Sequence, residues 1–385
     1  MKKVTAISLF VVLFALLFVF FLNSEFFLNG ETEAPSNAEP QHTETDEQNV
    51  PEPEPEEITT TASLMAVGDI LIHDYVYNQA KTNDGGFDFT PMFKLVKPYL
   101  DSADITIANQ ETMIGGSEIG VSTYPRFNSP FEIGTTLKDS GVDLVTIANN
   151  HTLDRGEDAI LNALDHWDEI GMEYTGSYRS EEDRTNLRLI ERNDITFSFL
   201  SYTYGTNGIP VPESKPHLVN LIDIDLIKNE IEEAKRLSDV VVLSLHFGNE
   251  YERLPNEQQK LLANEAAAAG ADIIIGHHPH VLQPAAWIDN PDGSRTFVTY
   301  SLGNFLSGQR RDYKDIGGIV QINAKKVVKG DDVEISLEEP AFLPTWVDRQ
   351  YTIQPMFQLV DQQKTYKEIK QHMSQWIPDM QFIED

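Results

Sequence analysis

"ADIIIGHHPHVLQP", residues 271–284, decides how this chain is read. Ile273, Ile274 and Ile275 form a short continuous apolar run, the pattern of a strand covered on both faces. Gly276 ends it, and His277, His278 and His280 come at once around Pro279, three of the ten histidines in the chain. Two imidazoles two positions apart can both turn toward one point, so a strand that ends in His-Pro-His is read as half of a metal site.

The same design repeats outward from that stretch. Apolar, β-rich runs occur at Leu64–Val67, Ile105–Ala108, Leu144–Ala148, Ile195–Tyr202, Val240–Leu245 and Phe297–Leu302. Helix punctuation lies between many of them. Thr90-Pro91 precedes "MFKLVKPYL", Asn256 with Gln259 makes a capping-box pattern, and Gly270 and Gly171 supply stops. Strand and helix alternating in this way predict a layered α/β fold. A β-hairpin is expected around Gly330-Asp331.

Most of these runs end in polar residues. Gly68-Asp69 comes after the first, with His73 four residues on; Asn109-Gln110-Glu111 after the second; Asn149-Asn150-His151, with Asp154 close by, after the third. His246 succeeds Val240–Leu245, and Gly303-Asn304 succeeds Phe297–Leu302. Ligands of open α/β folds bind outside the carboxyl ends of the strands, so these residues are expected on one rim of a sheet. Singly, each has a plain alternative: a turn, a helix cap, a hydrogen-bonded core histidine, a solvated carboxylate. Jointly, six coincidences at equivalent positions would be required. Imidazole, carboxylate and amide ligands suit Zn, Mn, Fe or Co rather than an all-oxygen Mg or Ca cage. About seven candidates exceed what one tetrahedral ion takes, so two ions sharing a carboxylate, about 3.5–4 Å apart, fit better.

Charge and the N-terminus set the context. The chain has 385 residues, a net charge of −32 and no cysteine, which excludes disulfides and thiolate chemistry. Residues 1–57 hold two lysines and eleven acids, a net of −9, leaving −23 on the rest. No basic stripe is present, so nucleic-acid binding is set aside. Val4–Leu22 is nineteen residues without a charge, behind Lys2-Lys3 and without a small-x-small cleavage pattern after it. That length predicts a single-pass membrane anchor with the rest of the chain outside the cell; a cleaved signal peptide is the alternative. Residues 31–57, with ten acids and five prolines, predict a disordered stalk. The expected organisation is therefore anchor to residue 23, stalk over 24–57, main domain over 58–345 and a C-terminal extension over 346–385.

The ordered set "VGDILIH", "NQET", "ANNHTLDRG", "HFGNEY", "GHHPHVLQP" and "SLGNFL" resembles the bacterial CapA-type capsule synthesis family, the poly-γ-glutamate synthesis accessory proteins, a variant of the calcineurin-like metallophosphoesterases. The resemblance runs from about Ser63 to Phe305. It implies a metallophosphoesterase-like β-sandwich flanked by helices, and two divalent transition ions (Mn, Zn or Fe). Asp69 matches the first metal carboxylate, Glu111 the bridging one, Asn150 an amide ligand, and His246, His278 and His280 the histidine ligands. His151 then faces the substrate as acid or donor, oriented by Asp154, and His277 is left without a role. Leu71 stands where the phosphoesterases carry a histidine, with His73 as the nearby candidate; Glu111 replaces an aspartate and Phe247 a tryptophan. Arg126 and Asn304 are taken as substrate-facing; Tyr124 and Asn128 either line the same pocket or belong to a structural loop. The resemblance further implies membrane-bound polyglutamate synthetase subunits as partners, with cations mediating contact to the anionic polymer. A metal-dependent hydrolase of another envelope substrate and a non-catalytic polymer-binding partner are the competing functions.

Overall fold

The computed structural model describes residues 55–384, and the expected anchor and most of the stalk lie outside the described residues. Among the described residues, no helix is long and apolar enough to cross a membrane. Two sheets stack face to face with helices on both outer surfaces. The first contains β1 (Glu57–Leu71), β2 (Ile105–Gln110), β3 (Leu144–Thr146), β4 (Glu173–Thr175), β12 (Ile316–Lys329), β13 (Asp332–Val347) and β14 (Ile353–Pro355). Its strand order is β14-β13-β12-β1-β2-β3-β4. Two short strands join it off this path: β11 (Asn304–Ser307) beside β1 and β15 (Gln381–Phe382) beside β13. The second sheet contains β5 (Arg188–Arg192), β6 (Ile195–Thr203), β7 (Val240–His246), β8 (Ile273–His277), β9 (Leu282–Asp289) and β10 (Arg295–Leu302), in the order β5-β6-β7-β8-β10-β9.

The continuous apolar runs have the cause the sequence suggested: alternate side chains enter different cores. Leu64 and Ala66 of β1 face Phe197, Val240, Val242, Ile273 and Ile275 between the sheets. Met65 and Val67 face outward and pack with helices α1 (Glu132–Asp139) and α2 (Gly156–Glu169) through Ile133, Leu137, Ile160 and Trp167. Ile274, Val241 and Leu243 do the same on the far side, against α3 (Ile224–Leu237) and α4 (Glu257–Ala269). A strand buried on both faces has no polar side, which is why its pattern lacks alternation.

Several local expectations hold in detail. The capping box of α4 forms, with Asn256 accepting from Gln259 N, and Gly270 ends the helix at φ +110°. The hairpin β12–β13 turns at Gly330. Others change. The helix expected after Thr90 is two single turns, Thr90–Phe93 and Lys97–Leu100, broken where Pro98 resists continuation. The rim is not that of one sheet: β1, β2 and β3 belong to the first and β7, β8 and β10 to the second. Helix α5 (Gln363–Met373) closes the sandwich at its edge, where its Tyr366, Ile369 and Met373 enter the core between the sheets.

Candidate metal centre

The parallel strands of both sheets end at one rim, and two glycines let the chains cross there. A Cβ on Gly68 would sit 2.1 Å from Gly303 O, and one on Gly276 would sit 2.1 Å from Tyr300 O. Only glycine permits such close backbone approach. Each then hands the chain to a functional residue. After Gly68, β1 slips register and Asp69 N donates to Gly303 O at 2.8 Å. After Gly276 come the histidines, with His278 at φ +96° and His280 at φ +58°. Positive φ in a residue with a bulky side chain is costly, and such strain gathers at functional sites, where surrounding structure holds it in place.

The side chains converge on Glu111. Asp69 Oδ2 lies 3.1 Å from His280 Nδ1, and its Oδ1 accepts from Asn109 Nδ2 at 2.8 Å. Glu111, tied to β1 through Glu111 N and Ile70 O, has Oε1 3.7 Å from His246 Nε2 and 3.8 Å from His280 Nε2. His246 Nε2 also lies 2.9 Å from Asn150 Oδ1. His278 lies beside His246, ring centroids 4.9 Å apart. Two of the three groups of ligand atoms within 4.8 Å of one another among the described residues contain Glu111: Asp69, Glu111, His280 and Glu111, His246, His278. Glu111 is common to both. All of these side chains are buried, Asp69 and Glu111 completely.

Burial without partners is the informative point. Both carboxylate oxygens of Glu111 and Nδ1 of His278 are buried with no hydrogen-bond partner. A buried carboxylate without compensation is expensive, and a cation is what its chemistry asks for. The proton affinities agree. Burial drives Glu111 well above the usual carboxylate range, and the negative charge of Asp69 adds to it. Burial would also raise Asp69, but the neighbouring imidazoles of His277 and His280 outweigh it and hold Asp69 well below its ordinary value. Burial lowers His246 well below 6.5 and His278 to about 3, so both present neutral nitrogen. His280 is the exception: burial pulls it down, yet Glu111 and Asp69 push it up to about 9. The donor set of carboxylate, amide and neutral imidazole therefore fits divalent transition ions.

Beside this centre a cleft of about 340 Å³ is lined by Tyr124, Arg126, Asn150, His151, Asp154 and Glu250, among others. His151 Nδ1 lies 2.7 Å from Asp154 Oδ2, which also accepts from Phe127 N at 2.8 Å. The Phe127 ring meets His151 edge-on, centroids 4.7 Å apart. Asn149 shapes the turn, accepting from His151 N and donating to Gln110 O.

Two expected residues, His73 and Asn304, sit elsewhere, and Asn128 takes the structural alternative. His73 belongs to no group of ligand atoms; its Nδ1 lies 3.1 Å from Leu71 O and 3.2 Å from Gly308 N, with its ring edge-on to Phe127. Asn304 is not on the cleft wall: it is fully buried, and its Nδ2 donates to Lys314 O and Gln309 Oε1. Asn128 is part of the loop framework, accepting from Gly115 N and donating to Gly116 O. His277, left without a role by the resemblance, lies 3.4 Å from Asp69 Oδ1. Sequence reasoning placed Asn109 at the rim without giving it a role, and missed Tyr204, whose ring lies against His246 and His278, and Glu250, although Glu250 stands in the motif "HFGNEY".

Residues 63–309 match the family described as "Bacterial capsule synthesis protein PGA_cap". The chain is 30% identical over 272 residues to the PGA biosynthesis protein CapA of Bacillus subtilis (strain 168), covering 69% of this chain and 68% of that protein. It is 28% identical over 258 residues to the capsule biosynthesis protein CapA of Bacillus anthracis, covering 64% of this chain and 60% of that protein. A hypothetical protein from Thermus thermophilus is a solved structure with 15% identity and a TM-score of 0.40, covering 72% of this chain and 98% of the other. That likeness is too loose to carry any argument.

Proposed function

The chain belongs to the PGA_cap family of bacterial capsule synthesis proteins, and on that premise we propose that it is a membrane-anchored surface component for making or exporting poly-γ-glutamate, with a metal-assisted hydrolytic centre built on Glu111. One observation carries the hydrolytic part: Glu111 is fully buried, both its oxygens lack partners, and it is shared by two sets of ligand atoms. Divalent cations bound there would supply Lewis-acid charge to a reacting group and acidify water.

The residues divide the remaining work. Asp69, Glu111, Asn150, His246, His278 and His280 would hold the ions. His151 commits Nδ1 to Asp154, which fixes the ring and leaves Nε2 for donating a proton to a leaving group. Phe127 bounds the ring on one edge and keeps its orientation. Arg126 on the cleft wall offers positive charge to an anionic substrate. In this reading residues 4–22 anchor the chain, the acidic stalk spaces the domain from the cell membrane on its outer face, and the partners are membrane-bound synthetase subunits. The domain's negative charge repels a polyglutamate strand, so bound cations mediate that contact.

Replacing the gene in a polymer-producing cell with the His278→Ala, His280→Ala form tests the proposal. Loss of surface polymer together with loss of bound metal is expected. Normal polymer from a metal-free variant would overturn the role given to the metals.

A further inference from the structure

The Glu111-centred positions are closed: Asp69 and Glu111 have no exposed surface, and His246, His278 and His280 are 1%, 3% and 2% exposed. An ion has to reach them through something outside. One acid at the mouth is placed to receive it. Glu250 is exposed, lines the 340 Å³ cleft, and has a carboxylate oxygen within 4.8 Å of ligand nitrogens of both His278 and His280.

Its position is built rather than accidental. The loop between β7 and α4 is fastened beyond it at successive residues. Tyr251 N donates to Pro279 O at 2.8 Å, directly onto the His-Pro-His turn, with Tyr251 held at φ +68°. Gln283 Nε2 donates to Glu252 O at 2.8 Å and to Leu254 O at 3.1 Å. Arg253 pairs with Glu368 of α5 at 3.0 Å and lies over the Tyr313 ring. A loop free to wander would need none of these. His278 Nδ1 is meanwhile buried and unpartnered, so the histidine side of the group is unsatisfied as well.

We propose that Glu250, His278 and His280 form an entry position for a divalent cation, occupied before the ion passes to the Glu111-centred positions. The sharing of ligands makes the two states successive. His280 is needed by the group with Asp69, and His278 by the group with His246, so an ion at the mouth uses imidazoles that the inner positions then claim. Glu250 acts on the rate of loading and is not kept as a ligand once both inner ions are in place. An exposed carboxylate at a cleft mouth also raises the local cation concentration, which acts on association rate. The inference rests on the metal centre proposed above.

The test is stopped-flow uptake of Mn2+ by metal-stripped full-length protein, then equilibrium metal content, for wild type, Glu250→Gln and Glu252→Gln. Glu252 is an exposed acid of the same loop outside the group, so it controls for bulk charge. Glu250→Gln is expected to slow uptake about tenfold, with unchanged final content, and Glu252→Gln to match wild type. Equal rates for all three would overturn the entry role while leaving the metal centre intact. Equal slowing by both variants would reduce the effect to bulk charge and overturn it too. Loss of metal at equilibrium in Glu250→Gln would make Glu250 a permanent ligand, contrary to the proposal. Wild type that takes up no Mn2+ would remove the metal centre and this inference together.

Discussion

Just after β3, His151 and Asp154 complete each other: one imidazole nitrogen meets one carboxylate oxygen at 2.7 Å, and that oxygen also accepts a backbone N–H. At the ends of β2 and β8, Glu111 and His278 are as deeply buried but leave both carboxylate oxygens and one ring nitrogen without partners. The first pair is positioned by its own hydrogen bonds through one carboxylate oxygen, while the other, Asp154 Oδ1, is buried without a partner. The second leaves a buried charge that a bound cation would balance, as the proposed function requires. Burial alone does not separate them; the two partners kept by Asp154 Oδ2, against none for either oxygen of Glu111, do.

The largest effect should come from the open region. Glu111→Ala removes the carboxylate common to both ligand groups and is expected to lower metal affinity by more than about a hundredfold, the upper range for changes merely next to a ligand. Equilibrium dialysis against Mn2+ checks this. His151→Ala should spare the metal and cost about 10²–10⁴-fold in turnover of a phosphodiester or amide model substrate. Were its metal content to fall with its activity, the distinction between the two regions would break.

Proton release sharpens the same contrast. His280, pushed up to about 9, is protonated at pH 7 and must lose that proton to ligate, whereas His278, at about 3, is already neutral. Metal affinity should therefore rise with pH from 7 toward 9, as the coupled His280 and Glu111 give up protons to bind the ion. Calorimetry in two buffers of different ionisation heat reads the released proton directly; no buffer dependence would contradict the assignment. The smallest effect belongs to Asn304→Ala, which should leave metal content and turnover unchanged and cost about 1–3 kcal/mol of stability, because Lys314 O and Gln309 lose a buried donor. Denaturant unfolding measures it.

The sequence was readable where one physical cause leaves one local trace. Double-sided burial produced the apolar runs, close backbone crossing required Gly68 and Gly276, and the residues just beyond them include the candidate ligands Asp69, His278 and His280. Membership of the capsule synthesis family was legible in that ordered set of motifs. What stayed hidden depends on contacts distant in the chain. The split of the rim between two sheets is a matter of which strands pair, and no strand carries it alone. Tyr204 reaches the histidines only because β6 lies beside β7. Glu250 looks like an ordinary loop acid until Tyr251 N is seen bonded to Pro279 O. Asn304 was misplaced for a related reason: a strand end at the rim can face the site or back it, and spacing does not say which.

The most direct test is the metal content of the purified full-length chain by elemental mass spectrometry, for wild type and Glu111→Ala prepared without chelator and offered Mn, Zn and Fe. The account predicts about two transition ions per wild-type chain and their loss in the variant. Equal content in the two proteins, or a wild type that holds none, would contradict a centre built on Glu111.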